Sequence, residues 1–240
     1  MRALVVLSLF AAATAFADDD PGADPYVYQR LVTADPARIE LETAVGTRDM
    51  RPFGERGVEE TARGIFQLLD RVELTVSGGV LLLGDETRGA FAVEAFALAL
   101  GDRTLGLQLG GGYAYDFRGA NLVRARLAGL ARVGRFDLVG SALLELPVGA
   151  EDRDEVDVMI GLAASTALSN RVRAGLEVLA EDIEGLWDDE EAEGGARILA
   201  APTLWVSLAP GWDLKISTGI HDDSSGVGFL GRATVGVAFR

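Results

Sequence analysis

The sequence predicts an all-β fold, an up-and-down antiparallel transmembrane β-barrel of about 12 strands, within a range of about 10–12. The first observation is alternation: segment 172–178 interleaves four apolar residues with Arg173, Gly175 and Glu177. Successive side chains of a strand point to opposite faces, so one face is apolar and the other charged. A charged inner face with an apolar outer face suits a barrel that sits in lipid.

The second observation is the alternation of connection lengths. Strands are expected at 38–48, 61–69, 71–83, 88–101, 104–117, 121–134, 136–148, 155–169, 171–182, 195–209, 212–222 and 227–239. Tight turns at 69–71, 101–103, 134–135, 168–171 and 209–212 alternate with mostly longer connections at 49–60, 84–87, 118–120, 149–154, 183–194 and 223–226. Membrane barrels have short turns at one end and longer loops at the other.

Two segments depart from this pattern. Residues 55–70 also fit an amphipathic helix, because Ala62, Ile65, Phe66 and Leu69 have helical spacing, although a strand followed by a hairpin turn fits better. Proline cannot donate to a strand ladder. Pro202 lies in the middle of the predicted strand 195–209 and therefore argues against a regular strand there.

The N-terminal residues predict export. Residues 1–17 have the features of a signal peptide: Arg2, an apolar run over 4–10, and small residues before a cleavage site after Ala17. The apolar run is shorter than the roughly 20 residues that a spanning helix needs. We expect residues 18–37 to form a flexible periplasmic segment and 38–240 to form the barrel.

Composition excludes several classes of function. The chain has no cysteine, which excludes disulfides and a lipoprotein anchor. Its net charge of −15 disfavours nucleic acid as a partner. His221 is the only histidine, so a histidine-based metal site is excluded, and we expect no metal and no cofactor.

The inner face carries the charge. The residues expected to line the lumen are Glu73, Glu94, Asp116, Arg124, Arg126, Arg132, Asp137, Glu145, Arg173, Glu177, Lys215 and Arg232. Arg124, Arg126 and Arg132 share one face of one strand, and we expect them to pair with Asp116, Asp137 or Glu145. Two interpretations remain open: ion pairs that fill a narrow lumen, or a charged lining that selects solutes.

Aromatic residues are expected to mark the two membrane interfaces. Those near predicted strand ends or turns are Tyr113, Tyr115, Phe117, Phe136, Trp205, Trp212 and Phe239. Their amphipathic rings suit a girdle at the level of the lipid head groups.

The export signal, the alternating strands and the terminal alternation up to Phe239 together resemble bacterial outer-membrane β-barrel proteins. The resemblance implies an outer-membrane location, both termini in the periplasm, and outer-membrane lipid and the barrel assembly machinery as partners. Members commonly end on an aromatic residue, whereas Arg240 follows Phe239 here. The expected function is a narrow solute channel, or a passive structural or surface component, with a charged, ion-paired lumen.

Two alternatives differ in kind. A membrane-embedded lipid-modifying hydrolase would use His221 with Ser224 or Ser225, but Asp223 stands two residues after His221, where such enzymes have serine. The sequence therefore favours a protein that is not an enzyme, with His221 at a solvated loop end. A soluble lipocalin-like binding module would turn the same apolar faces inward.

The acidic segment 181–191 offers carboxylates of the kind that bind Ca²⁺. It lacks the spacing of a calcium-binding loop, so we interpret it as a solvated run of charge.

Overall fold

Twelve antiparallel strands close into a single barrel in the part of the chain that the structure describes, a computed structural model covering 26–29, 31–32, 35–48, 53–102, 104–149, 156–181, 196–223 and 226–239. The strands are β1 (Ala37–Gly46), β2 (Gly57–Leu69), β3 (Val72–Leu83), β4 (Glu86–Gly101), β5 (Leu105–Tyr115), β6 (Asn121–Val133), β7 (Phe136–Pro147), β8 (Asp157–Ser169), β9 (Val172–Glu181), β10 (Arg197–Ala209), β11 (Trp212–Asp223) and β12 (Gly226–Phe239).

Each strand pairs with its neighbours in sequence, and the barrel closes where β1 pairs with β12. In that closing ladder Ala37 faces Phe239 and Gly46 faces Leu230. Closure leaves no open sheet edge, which a lipid environment requires because it offers no partner for a free backbone N–H or C=O. The predicted up-and-down barrel is confirmed.

Segment 57–69 is a strand, so the helical alternative for this region is wrong. β2 pairs with β1 from Gly57 to Phe66 and with β3 from Val58 to Leu69, with a register shift near Leu69. Pro202 was also expected to argue against a strand around it. That expectation is wrong, because β10 runs from Arg197 to Ala209 and includes Pro202. Pro202 faces Leu176 in the β9 ladder, whereas the ladder with β11 has a gap between Ala200 and Thr203. The missing N–H therefore costs pairing on one side only.

The tight turns lie at the end of the barrel that carries Ala37 and Phe239. Several need a left-handed backbone, which glycine supplies at Gly101 (φ 73°), Gly134 (φ 61°) and Gly211 (φ 76°). In one turn the backbone N–H groups of Leu105 and Thr104 donate to the Asp102 carboxylate and thereby lower its pKa.

The two faces of the wall have opposite chemistry. Leu41, Phe91 and Ile220 are among the many large apolar side chains exposed on the outside, whereas Glu40, Glu73 and other charged residues are buried inside. A soluble lipocalin-like module would require the reverse orientation, so that alternative is wrong. No helix within the described ranges is long and apolar enough to cross a membrane.

Some predictions fall on residues outside the described ranges. They concern the signal peptide at 1–17, residues 182–191 of the acidic segment, Ser224 and Ser225, and Arg240. The described part of the expected periplasmic segment, in contrast, differs from an extended tail: residues 26–29 contact the inner wall of the barrel.

Candidate functional site in the barrel lumen

The chain's own N-terminal segment, residues 26–29 and 31–32, occupies part of the lumen. Its backbone binds one carboxylate of β9: the N–H of Val27 donates to Glu177 Oε1 at 2.7 Å, and those of Tyr28 and Gln29 donate to Oε2 at 3.0 and 2.9 Å. Glu177 is fully buried. A buried carboxylate needs such donors, because desolvation is costly unless its lone pairs are satisfied.

Side chains from several strands bind the same segment. The Tyr26 hydroxyl donates to the Asp137 backbone carbonyl at 2.9 Å, and Lys215 Nζ donates to the Tyr26 carbonyl at 3.2 Å. The Ser141 hydroxyl lies 3.0 Å from Gln29 Oε1, and Gln108 Oε1 accepts from the Val32 N–H at 3.1 Å. The segment is thus held against β5, β7, β9 and β11, across about half of the barrel's circumference.

A second group of charges lies beside this segment at the tight-turn end. Arg38 donates to both oxygens of Asp213 at 2.7 and 2.6 Å and to Glu40 at 2.9 Å. Glu40 also accepts from Arg63 at 2.7 Å and lies 3.4 Å from Lys215 Nζ. These five residues form one network, in which each buried charge has an opposite partner.

Arg232 joins the N-terminal segment to the longer-loop end. Its guanidinium lies 4.9 Å from the centre of the Tyr28 ring and donates to Glu42 at 3.0 Å and to the Phe53 carbonyl at 2.7 Å. Phe53 is buried and packs edge-on against His221, with ring centres 5.5 Å apart. Phe53, four residues before β2, therefore also packs inside the lumen.

The three arginines of β6 lie on the inner face, but their partners differ. Arg124 donates to Glu145 at 2.8 Å, and Arg132 donates to Asp137 at 2.5 Å. Asp137 also accepts from Arg173. Arg126 instead lies with its guanidinium 5.6 Å from the Phe96 ring centre.

Asp116 binds the connection that follows its own strand. Its carboxylate accepts from the backbone N–H groups of Arg118 and Ala120, at 2.9 and 2.8 Å, and from Arg118 Nε at 2.7 Å. It therefore stabilises the connection between β5 and β6. The pairing of Asp116 with Arg124, Arg126 or Arg132 stays a prediction, and Asp116 lies just beyond the end of its strand.

The remaining expected lining residues, Glu73 and Glu94, are both buried on inner faces. Thr75 Oγ1 lies 3.5 Å from Glu73 Oε1. Glu94 borders a cavity of about 230 Å³, which we call the arginine cavity. Its charged lining consists of Arg63, Glu94, Arg124, Arg126, Glu145 and Arg232, and Val27, Tyr28 and Gln29 form part of its opposite side.

Two residues lie elsewhere than the sequence indicates. His221 is 1% exposed on the inner wall rather than at a solvated loop end. Trp205 is also buried inside, so it does not belong to an interfacial girdle, whereas Trp212 and Phe239 are exposed on the outside. Along their strands, His221 and Trp205 stand an even number of positions from inward-facing residues, so alternation assigns both to the inner face. Their location near a strand end suggested other roles instead.

Neither the place of Arg38 and Asp213 in the lumen nor the docking of the N-terminal segment was predicted. Arg38 and Asp213 have the parity of Glu40 and Lys215, so alternation alone would have assigned them to the lumen. The signal of docking was a group of aromatic and apolar residues in the lead-in: Tyr26, Val27, Tyr28, Leu31 and Val32.

No family model matches the chain, and no curated protein matches it. Solved structures do match. The KdgM porin has a TM-score of 0.61 at 11% identity, covering 85% of this chain and 99% of its own. The NanC porin has a TM-score of 0.60 at 8% identity, and the match covers 84% of this chain and 99% of the porin. The COG4313 outer membrane channel from Pseudomonas putida F1 has a TM-score of 0.60 at 12% identity, and the match covers 90% of this chain and 100% of the channel. This chain has the fold of bacterial outer-membrane β-barrel channels.

Proposed function

We propose that the protein is a narrow solute channel of the bacterial outer membrane. The observation that carries the proposal is the closed wall itself, apolar and exposed outside, charged and buried inside. Such a wall satisfies all its backbone groups internally and presents hydrocarbon to lipid, while the inner charges hold water and ions along the axis. The porins and the channel with the same fold support this function.

The orientation follows from the connections. In outer-membrane barrels the short turns face the periplasm, so we place Ala37, Phe239 and the tight turns on that side. The N-terminal segment then enters the lumen from the periplasm, after export directed by residues 1–17. Outer-membrane lipid around the apolar wall, and the assembly machinery acting on the strand that ends at Phe239, are the partners this placement requires.

The channel is narrow because the lumen is partly filled. The N-terminal segment covers one side of the interior, and the ion pairs reach inward from the rest. Among the cavities that the described residues leave open are the arginine cavity of about 230 Å³ and another of about 200 Å³; Arg124, Glu145 and Arg232 border both. Spaces of this size admit small solutes rather than polymers.

Transport accounts for the site better than lipid hydrolysis does. A hydrolase acting on membrane lipid needs its histidine where an acyl chain can reach it, on the outer wall. The His221 ring instead lies inside, packed against Phe53. We therefore propose a protein without enzymatic activity.

Purified protein in planar lipid bilayers tests the proposal. We expect a small, steady single-channel conductance, and we expect cell fractionation to recover the protein with the outer membrane, in a detergent-requiring form. Recovery in the soluble periplasmic fraction would refute the location. Absence of conductance both in the full protein and in a variant that lacks residues 18–32 would favour a passive structural component.

A further inference from the structure

The Arg126 guanidinium is the feature of the lumen that most requires a ligand. It lies on the inner face of β6, borders the arginine cavity, and rests on the Phe96 ring. Among the residues that the structure describes, no acceptor lies within hydrogen-bonding distance of its buried Nε. A buried charged donor without an acceptor is costly, by more than a neutral one.

The charges around Arg126 are mixed, but the lining of the cavity has more arginines than glutamates. Glu94 and Glu145 lie close enough to Arg126 to attract it, whereas Arg124 and Arg63 lie close enough to repel it. Arg124 is already bonded to Glu145, and Arg63 to Glu40. The lining contains four arginines and two glutamates, and the acids that bind Arg63 and Arg232, Glu40 and Glu42, lie outside it.

Glycines of β5 provide the space. Gly110 and Gly112 point to the inner face between β4 and β6, where Phe96 faces Gly110 and Glu94 faces Gly112 across the ladder. A Cβ at Gly110 would lie 2.4 Å from Phe96 Cδ1, and one at Gly112 would lie 2.9 Å from Glu94 Cγ. The bare backbone therefore lets Phe96 and Glu94 lie flat over β5, which leaves the volume in front of Arg124 and Arg126 open.

We propose that the arginine cavity binds a small organic anion with two or more carboxylates, held by Arg126 together with Arg124 and Arg63. The inference rests on the proposed channel function and names the class of solute for which the channel is selective. Guanidinium groups bind carboxylates through paired N–H donors, and a second carboxylate finds a second arginine of the lining. The volume of about 230 Å³ equals roughly eight water molecules, a size that suits a small organic acid.

Calorimetric titration of the full protein in detergent micelles with citrate tests the site, with glucose as an uncharged probe. We expect citrate to bind and glucose not to bind. Arg126→Gln should weaken citrate binding about tenfold or more, because a buried charge-assisted bond contributes roughly 1.5–3 kcal/mol. Arg132→Gln is the matched control, since Arg132 has the same strand and face but pairs with Asp137 near the turn, and it should change binding less than about twofold.

Arg126→Lys provides a second variant should Arg126→Gln not fold. It keeps the charge but loses the planar donors, so we expect weaker citrate binding than in the parent protein. Equal citrate binding by the parent and the folded Arg126 variants, or no citrate binding by the parent, overturns the site. Conductance without citrate binding would refute only the site, whereas Arg126-dependent citrate binding without conductance would refute only the channel.

Discussion

Replacing Glu177 with glutamine should release the N-terminal segment from the lumen. The carboxylate accepts three backbone N–H groups, those of Val27, Tyr28 and Gln29, at 2.7–3.0 Å. A glutamine side chain has one acceptor oxygen and one NH₂ group, which is a donor. Whichever way the amide turns, at least one backbone N–H then faces another donor.

The size of the effect follows from those contacts. With its oxygen turned toward Tyr28 and Gln29, the amide keeps two bonds as neutral ones and loses the bond to Val27. A charge-assisted bond contributes about 1.5–3 kcal/mol and a neutral one about 0.5–1.5 kcal/mol. Losing one bond and weakening two by about 1–1.5 kcal/mol each should therefore cost the docked segment about 3.5–6 kcal/mol. Glu177→Ala, which loses all three bonds, should cost more.

Hydrogen exchange and conductance measure this release. Exchange at the amides of residues 27–29 should accelerate by about tenfold for each 1.4 kcal/mol lost, up to the rate of the free segment. Single-channel conductance should rise as the lumen empties. Glu145→Gln is the control, because Glu145 is a buried carboxylate of the same lumen that binds Arg124 of the wall; it should leave exchange at residues 27–29 unchanged.

Unchanged exchange at residues 27–29 in both Glu177→Gln and Glu177→Ala, with the barrel still folded, would refute the reasoning. It would mean that Tyr26, Lys215 and Gln108 hold the segment without the carboxylate. Faster exchange with unchanged conductance would leave the docking argument intact but show that the segment does not restrict ion flow.

Two further predictions concern the wall. Arg38→Met should lower the free energy of unfolding by about 3–5 kcal/mol, because it leaves the buried Asp213 carboxylate without the guanidinium that binds it. Asp213→Leu should cost less, because Arg38 keeps its bond to Glu40. The double variant should cost less than the sum in urea unfolding from lipid vesicles, and additive losses would contradict the pairing. Gly110→Val should push Phe96 into the arginine cavity and reduce conductance, since its Cβ lies 2.4 Å from Phe96 Cδ1. Gly129→Val, whose Cβ lies no closer than 3.9 Å to its surroundings, should leave conductance unchanged.

Alternation could predict the strands and the inner face because strand geometry has a period of two, which the sequence displays directly. Glu73, Glu94, Glu177 and Lys215 are buried for that reason, without any knowledge of their partners. Turn chemistry then fixed where strands end to within a few residues, even in β2, where a helix competed.

The partners of the lumen charges could not be predicted in the same way. They depend on the height of each residue along the barrel axis and on which backbone groups lie nearby. Asp116 has the parity of the lumen residues, but it lies one residue past Tyr115, where β5 ends, and its carboxylate accepts N–H groups of its own loop. Glu177 is the stronger case. Its partners are backbone amides of residues about 150 positions away. Every residue other than proline has such an amide, so the pattern of side chains does not indicate which ones bind. The docking of the N-terminal segment in the lumen was missed for the same reason, because residues 26–29 show neither strand nor helix periodicity. Their place depends on the Glu177 carboxylate, which alternation had already assigned to the lumen and which accepts backbone N–H groups from this distant part of the chain.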